Sequence, residues 1–377
     1  MEHNRGSFNS NLGFVLAAIG SAVGMGNLWG FPYKMGANGG FPFLVIYLFF
    51  VITCGVVCMG VEMAIGRKTG KSPVLAMAEL GKQYKIVGWF GVLSATIIMG
   101  FYTMLVGYAV RYMLGFGMQI FGGNGFGGQG GTDFFVNFTC TPWVVLAFTL
   151  LTFALCYVIV ASGIEGGIEK FNKVGIPALF IILVVIIVYN FTLPGASQGL
   201  VYMFTTKGME MAGTEFNFIT ACRVAAGQML FSCSLGMGIM ITYGSYMKRR
   251  NSIPGASVRI VAADTFVAVL SGFIIIPVVV IFAALSGHGG KVAIEAGPGL
   301  MFETLPKVFS SLGAVGPYVG LLFFVLVLFA ALTSSISMTE ACVAAICDFF
   351  KIKRKTSTFA ITLWAILLGS VSAFGYG

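Results

Sequence analysis

Thr333-Ser334-Ser335 sets three hydroxyls in a row inside an otherwise almost wholly apolar stretch, and Glu62 and Asp264 each place a carboxylate inside another. Hydroxyls within a helix have two uses: they bond back to the carbonyl of the preceding turn, or they act as hard oxygen ligands. The second use needs partner oxygens, and the segment 18–32 can supply them. Its Gly20, Gly24, Gly26 and Pro32 make a continuous helix unfavourable, and unwound backbone in a membrane is tolerated only where protein, ions or substrate take up its polar groups. Carbonyls freed between Gly20 and Val23, paired with those hydroxyls, would form a small oxygen cage suited to a dehydrated sodium ion. A carboxylate in a spanning helix costs ~2.5–3.5 kcal/mol on insertion scales. A buried Asp264 therefore implies a cation or proton beside it; the alternative is a surface position at its helix end. For Glu62 the expected partners are backbone amides at the first helix break, in a structural role, with a proton relay as the other reading. Catalysis is not expected, because His3 and His288 are peripheral and no nucleophile–base pair falls in the apolar segments. Cys54 and Cys58 share a helix face, but without companion ligands they read as packing residues, not a zinc site.

The elements that must hold these groups are membrane helices. The chain has 377 residues, of which 58% are hydrophobic and only 9% charged, where a soluble domain would carry roughly a quarter charged. Runs long enough to cross the ~30 Å hydrocarbon core fall near 12–36, 41–66, 86–121, 143–160, 168–191, 218–247, 258–285, 316–347 and 358–375. An all-α polytopic membrane protein with nine spans is expected. The polar start leads into the first span without a small-residue cleavage site, so no signal peptide is read. With the N-terminus cytoplasmic, the clusters Arg67/Lys68/Lys71/Lys82/Lys85, Lys170/Lys173, Lys248/Arg249/Arg250 and Lys351/Lys353/Arg354/Lys355 all fall inside, as the positive-inside rule requires. That distribution accounts for the net charge of +9. Without interleaved stacking aromatics it excludes nucleic-acid binding. Seven cysteines lie in apolar helices and Cys140 near the end of an outer loop, so no disulfide framework follows.

A near-echo of the first break, Phe231-Ser-Cys-Ser-Leu-Gly-Met-Gly238, lies about two hundred residues on. Two interrupted segments at matching places in two halves of a chain point to the central site of a secondary transporter. The reading is a five-plus-five inverted repeat with spans 1 and 6 broken: residues 1–191 form the first repeat, 192–217 an extracellular loop, and 218–377 an incomplete second repeat. The glycine-rich 122–131 reads as a flexible spacer, and 288–312 as a short helical hairpin over the outer entrance.

The chain resembles the neurotransmitter:sodium symporter family, whose bacterial prototype is a leucine transporter. The resemblance rests on Gly24-Met-Gly-Asn-Leu-Trp-Gly-Phe-Pro32, Asn38-Gly-Gly40, Glu62-Met-Ala-Ile-Gly-Arg67, Gly227-Gln228, Ser234-Leu-Gly-Met-Gly238, Ile241-Thr-Tyr-Gly-Ser-Tyr246 and Ala330-Ala-Leu-Thr-Ser-Ser335. It implies two sodium ions as the only cofactors. One would be held by Ala22, Asn27, Ser232 and Asp264 with the substrate carboxylate, the other by the carbonyls of Gly20, Val23 and Ala330 and the side chains of Thr333 and Ser334. An amino-acid carboxylate would sit on the amides of Met25 and Gly26 and the hydroxyl of Tyr102. Its ammonium would face carbonyls near Ser21, Phe231 and Ser234. Ile98, Phe231, Met237, Met240, Ser334 and Met338 would select the side chain, with Ala22 and Ser232 completing the site. Three methionines favour a large hydrophobic or aromatic amino acid, though for each methionine alone core packing is the stronger reading.

Arg5 and Asp348 resemble the family's inner gating pair, flanked by Phe8 and Tyr246. Gly167 and Pro177 resemble its fifth-span motif, which unwinds to admit water, or else an ordinary helix start. Animal members bind chloride near Tyr47, Gln228 and Ser232; Asp264 would supply that negative charge here, so chloride independence is expected. The family's outer-gate arginine is replaced by Gly30, and no tenth span is present to carry its partner, which suggests truncation after the ninth. The implied function is sodium-coupled amino-acid symport across the cell membrane by alternating access. A non-transporting amino-acid sensor or binding protein is the alternative, and a passive channel fits less well, since the polar groups concentrate at one depth. Oligomeric state is left open.

Overall fold

The structure, a computed structural model, describes residues 6–126, 131–193, 195–205, 216–285 and 297–375. Among these, seven helices are long and apolar enough to cross a membrane unbroken: Phe41–Thr69, Lys82–Ile120, Pro142–Ala161, Ile164–Phe191, Ile253–Leu285, Gly316–Phe350 and Arg354–Phe374. Two more crossings are broken. The first span is the pair Asn11–Ala22 and Gly26–Ala37, bent by 51°, and the sixth is Phe218–Ser232 followed by Ile239–Ser245.

Each broken half starts and stops for a local reason. Ser10 caps the first half by accepting from Gly13 N at 2.9 Å, satisfying one of the amides a helix start leaves open. The helix ends where Val23 turns extended and restarts as a π-turn over Gly26–Gly30, with Pro32 in the first turn of Phe31–Ala37. The break is therefore narrower than the sequence implies. Gly20 to Ala22 are helical, and their carbonyls are free because the last turn of any helix leaves them so. In the sixth span the interruption, residues 233–238, holds Ser234, Gly236 and Gly238 at positive φ (54°, 80° and 73°). For Ser234 that is a strained conformation, held by its hydroxyl donating to the Ser21 carbonyl at 2.9 Å.

The third, seventh and eighth spans are central, with most of the first half of the first span and the second half of the sixth buried among them, while the second, fourth, fifth and ninth are more exposed. About 72% of the eighth span's apolar window is buried against 28% of the second's, and the second span turns Phe49 and Ile52 outward as a lipid-facing helix must. Small residues bring backbones together. A Cβ on Gly66 would lie 1.9 Å from the Ile241 carbonyl, and one on Gly244 2.5 Å from that of Met63, so the second span and the second half of the sixth touch backbone to backbone.

One end is closed by aromatics. Tyr112 donates to the Phe302 carbonyl at 2.6 Å and packs against Phe126, Phe134, Phe302 and Phe324. Of the expected spacer 122–131, Phe126 packs against Phe116 and Phe134 and a short helix, Gly131–Thr139, begins at its end, while residues 127–130 lie outside the described residues. Of the expected hairpin, residues 297–312 carry short helical turns at Leu300–Thr304 and Leu305–Ser311, while 288–296 lie outside the described residues.

Candidate functional site

The two breaks face each other across a small cavity of about 30 Å³. The first span lends it Ser21, Ala22 and Gly26, the third Ile98 and Tyr102, the sixth Phe231, Ser232, Ser234 and Met237, and the eighth Ser334 and Met338; Gly24 and Asn27 complete the lining. Two expected residues do not line it. Met240 is buried elsewhere in the core, one turn past Met237. Met25 is fully buried and contributes through its backbone, its N–H donating to the Tyr102 hydroxyl at 3.1 Å. Polar groups thus gather at the breaks, while Ile98, Phe231, Met237 and Met338 make the remaining wall apolar.

On one side Asp264 is fully buried, which removes the surface alternative. Asn27 Nδ2 donates to its Oδ1 at 2.7 Å and to Ser232 Oγ at 3.0 Å. Ser232 Oγ in turn donates to the carboxylate, with contacts of 2.8 and 3.0 Å. Among the described residues no Lys or Arg ion-pairs with it. A buried charge satisfied only by neutral donors is costly, so the pocket favours a cation or a proton. Asn27 Oδ1 accepts from Gly24 N at 3.0 Å, linking this cluster to the break.

On the other side the hydroxyls meet freed carbonyls. Ser334 Oγ lies 3.4, 3.2, 3.2 and 3.3 Å from the carbonyl oxygens of Gly20, Ser21, Val23 and Ala330, and Thr333 Oγ1 lies 3.0 Å from that of Ala330. One hydroxyl proton satisfies one acceptor at a time. Four carbonyl oxygens around it form a donor-poor cluster of the kind that coordinates sodium at unwound transporter helices. Back-bonding and cage geometry coexist here, because Ala330 O is also the preceding-turn carbonyl. Ser335 only back-bonds, to Ala331 at 3.0 Å.

Glu62 departs from expectation. Its Oε1 accepts from Gly236 N at 2.7 Å, so it braces the break in the sixth span, not that in the first. Tyr47 is buried against Phe31 and Phe43. Gln228 Nε2 donates to the Gly26 carbonyl at 3.0 Å and its Oε1 accepts from Lys34 Nζ at 2.6 Å. A Cβ on Gly30 would lie 3.7 Å from that same Oε1. Lys34, one turn on, therefore brings a cation to the spot a side chain at 30 would approach.

At the end carrying the N-terminal segment, Phe8 packs edge-on against Tyr243 and Tyr246. Tyr246 donates to Glu340 Oε1 at 2.7 Å. Fully buried Glu340 forms a two-pronged ion pair with Arg354, which also donates to the Val160 carbonyl at 2.9 and 3.1 Å. Asp348 accepts from Ser72 N at 2.8 Å, and its expected partner Arg5 lies outside the described residues. Sequence reasoning missed Glu340, Arg354 and Lys34. An ionisable residue inside an apolar run was the available signal for Glu340 and Lys34, as it was for Glu62 and Asp264. Among the described residues no three His, Cys, Asp or Glu side chains cluster as a metal site, and Cys54 and Cys58 are exposed.

A family model, the sodium:neurotransmitter symporter family, matches residues 5–119 and 140–375. An uncharacterized sodium-dependent transporter of Methanocaldococcus jannaschii is 32% identical over 383 residues, covering 99% of this chain and 76% of its own length. One from Bacillus subtilis is 32% identical, covering 98% and 78%. The human sodium- and chloride-dependent GABA transporter 2 is 23% identical over 97% of this chain and 67% of its own. The crystal structure of MhsT in complex with L-phenylalanine matches with a TM-score of 0.85 at 35% identity, covering 99% of this chain and 82% of that one. Coverage of 99% of the chain gives no support to the truncation inferred from the span count.

Proposed function

The chain belongs to the sodium:neurotransmitter symporter family, and from that premise we propose that it carries a large hydrophobic or aromatic amino acid with two sodium ions, independently of chloride. Members of this family are transporters, not enzymes, and the chain is a multi-pass membrane protein of the inverted-repeat transporter fold. The observation that carries the reading is the donor-poor cluster at Ser334, beside an apolar cavity and between two broken spans.

In this reading Gly20, Val23, Ala330, Thr333 and Ser334 hold one sodium ion. Ala22, Asn27, Ser232 and Asp264 hold the other, with the cargo carboxylate as a further ligand, so ion and cargo bind together. The carboxylate rests on the amides of Met25 and Gly26 at the start of the second half of the first span, where the helix dipole is positive. Tyr102 lends its hydroxyl. The ammonium faces the carbonyls at Ser21 and the sixth-span break, and Ile98, Phe231, Met237 and Met338 enclose the apolar side chain. A relative at 35% identity is solved with L-phenylalanine, which supports an aromatic cargo. Residues 1–191 and 218–377 are the two repeats, and the basic end carrying the N-terminus faces the cytoplasm. Packing is dense there around Phe8 and Tyr246, whereas Phe231 above the cavity is 40% exposed, the pattern of a site reached from outside.

Binding of tritiated phenylalanine, leucine and tryptophan to purified protein in sodium and then in potassium tests this, followed by uptake into liposomes. Sodium-dependent binding with uptake is the expected result. Binding without uptake would replace transport by a sensor role, and equal binding in both salts would remove the ion sites.

A further inference from the structure

Asn172, on the fifth span, is 1% exposed, and its Oδ1 is buried without a hydrogen-bond partner. An orphaned buried acceptor costs the desolvation of that group with nothing gained in return, so something should meet it. The side chain's orientation is set by its other end, where Nδ2 donates to the Ile168 carbonyl at 2.8 Å. Flipping the amide would set oxygen against oxygen there. Oδ1 is thereby aimed across the helix interface at Gly20. A Cβ built on Gly20 would lie 2.0 Å from Asn172 Oδ1 and 3.1 Å from Cβ of Thr333, which places the amide oxygen in the wedge between the first and eighth spans. Gly20 and Thr333, which flank that wedge, belong to the oxygen cluster in which Ser334 Oγ meets the carbonyls of Gly20, Val23 and Ala330 and Thr333 Oγ1 meets that of Ala330, so the amide oxygen stands beside this cluster.

We propose that Asn172 Oδ1 is a ligand, contributed by the fifth span, for the cation held at the Gly20–Ala330–Ser334 cluster. An amide oxygen is chemically equivalent to the backbone carbonyls already there, and it fits a hard monovalent cation for the same reason. The consequence is mechanical. The fifth span begins in a π-turn over Ile164–Glu169 and carries Pro177 within its helix, so ion binding through Asn172 ties this irregular segment to the first and eighth spans, and its rearrangement withdraws a ligand. The proposal rests on the transport reading and adds to it a residue outside the expected ligand set.

The test is a sodium titration of the purified full chain, read as thermal stabilisation without any amino acid, with hydrogen exchange over residues 164–176 as the second readout. Asn172→Leu should raise the sodium half-saturation about tenfold and abolish sodium-dependent protection of that segment. Asn172→Asp, which keeps an oxygen but loses the N–H to Ile168, should retain both or shift the half-saturation lower. A half-saturation within twofold of the unaltered protein in Asn172→Leu overturns the proposal, as does an equal loss in both variants, which would assign the effect to the Ile168 bond. If Asn172→Leu does not fold, a weakened sodium response in Asn172→Asp overturns it. An unaltered chain that shows no sodium-dependent stabilisation sinks the sodium reading itself, a separate outcome.

Discussion

At the scale of single residues, the site is a problem of unpaired charge and unpaired oxygen. Among the described residues Asp264 is held by neutral donors from Asn27, Ser232 and Cys233, so its charge must be met by a bound ion or a proton. Asp264→Asn should therefore raise the sodium half-saturation for amino-acid binding by about tenfold or more, with shape and packing kept; an unchanged sodium curve would show that the carboxylate is not a ligand. Lys34 makes the converse argument. Its ammonium bonds Gln228 at 2.6 Å, and Gln228 holds the Gly26 carbonyl at the cavity. A hydrogen bond to a charged group contributes ~1.5–3 kcal/mol. Lys34→Met should weaken cargo affinity about tenfold while Lys34→Arg retains most of it, measured as KM against maximal uptake; equal, unaltered KM values in both would leave Lys34 a surface residue. Most of these groups were legible as ionisable or hydroxyl residues inside apolar runs, since insertion cost depends on local composition. Their partners were not. Glu62 was assigned to the first break and braces the sixth-span one instead, because hydropathy reports depth in the membrane and not which neighbour a helix face meets.

At the scale of elements, the breaks decide what the residues can do. The first span was legible as broken from its glycines and Pro32, but the gap proved to be three residues wide, and the useful carbonyls are those of a helix end. Met237 lines the cavity and Met240 does not, because residues 233–238 include three positive-φ positions that reset the helical phase, so periodicity read before a break says nothing about the faces after it. The Glu340–Arg354 pair is the element-level latch at the N-terminal side, joining the eighth and ninth spans to the Val160 carbonyl at the end of the fourth and to Tyr246 of the sixth. Removing one partner of a buried pair costs ~3–5 kcal/mol. Glu340→Gln should lower the thermal midpoint clearly, and Glu340→Gln with Arg354→Met should recover part of that loss; midpoints matching the unaltered protein in the single variant would rule out a structural role for the pair.

At the scale of the whole molecule, the proposed transport of a zwitterion with two sodium ions would move net positive charge, and each charge crossing the full potential contributes ~2.3 kcal/mol per 100 mV. Uptake into liposomes should rise with an inside-negative potential and stay unchanged when chloride is replaced by gluconate; a fall in gluconate would mean that Asp264 does not stand in for the anion. The sequence by itself determined that this chain lives in a bilayer, where the spans among its described residues run, which two are interrupted and that the chemistry lies at one depth, because transfer free energy and helix propensity are sums over neighbouring residues. Only the tertiary structure decided which groups meet. Asn27 and Asp264 are 237 residues apart and touch at 2.7 Å, Glu62 reaches Gly236, and Asn172 turns its bare oxygen toward Gly20. Such contacts depend on how each helix is rotated and how closely small residues let backbones approach, quantities set jointly by every packed face and carried by no local pattern.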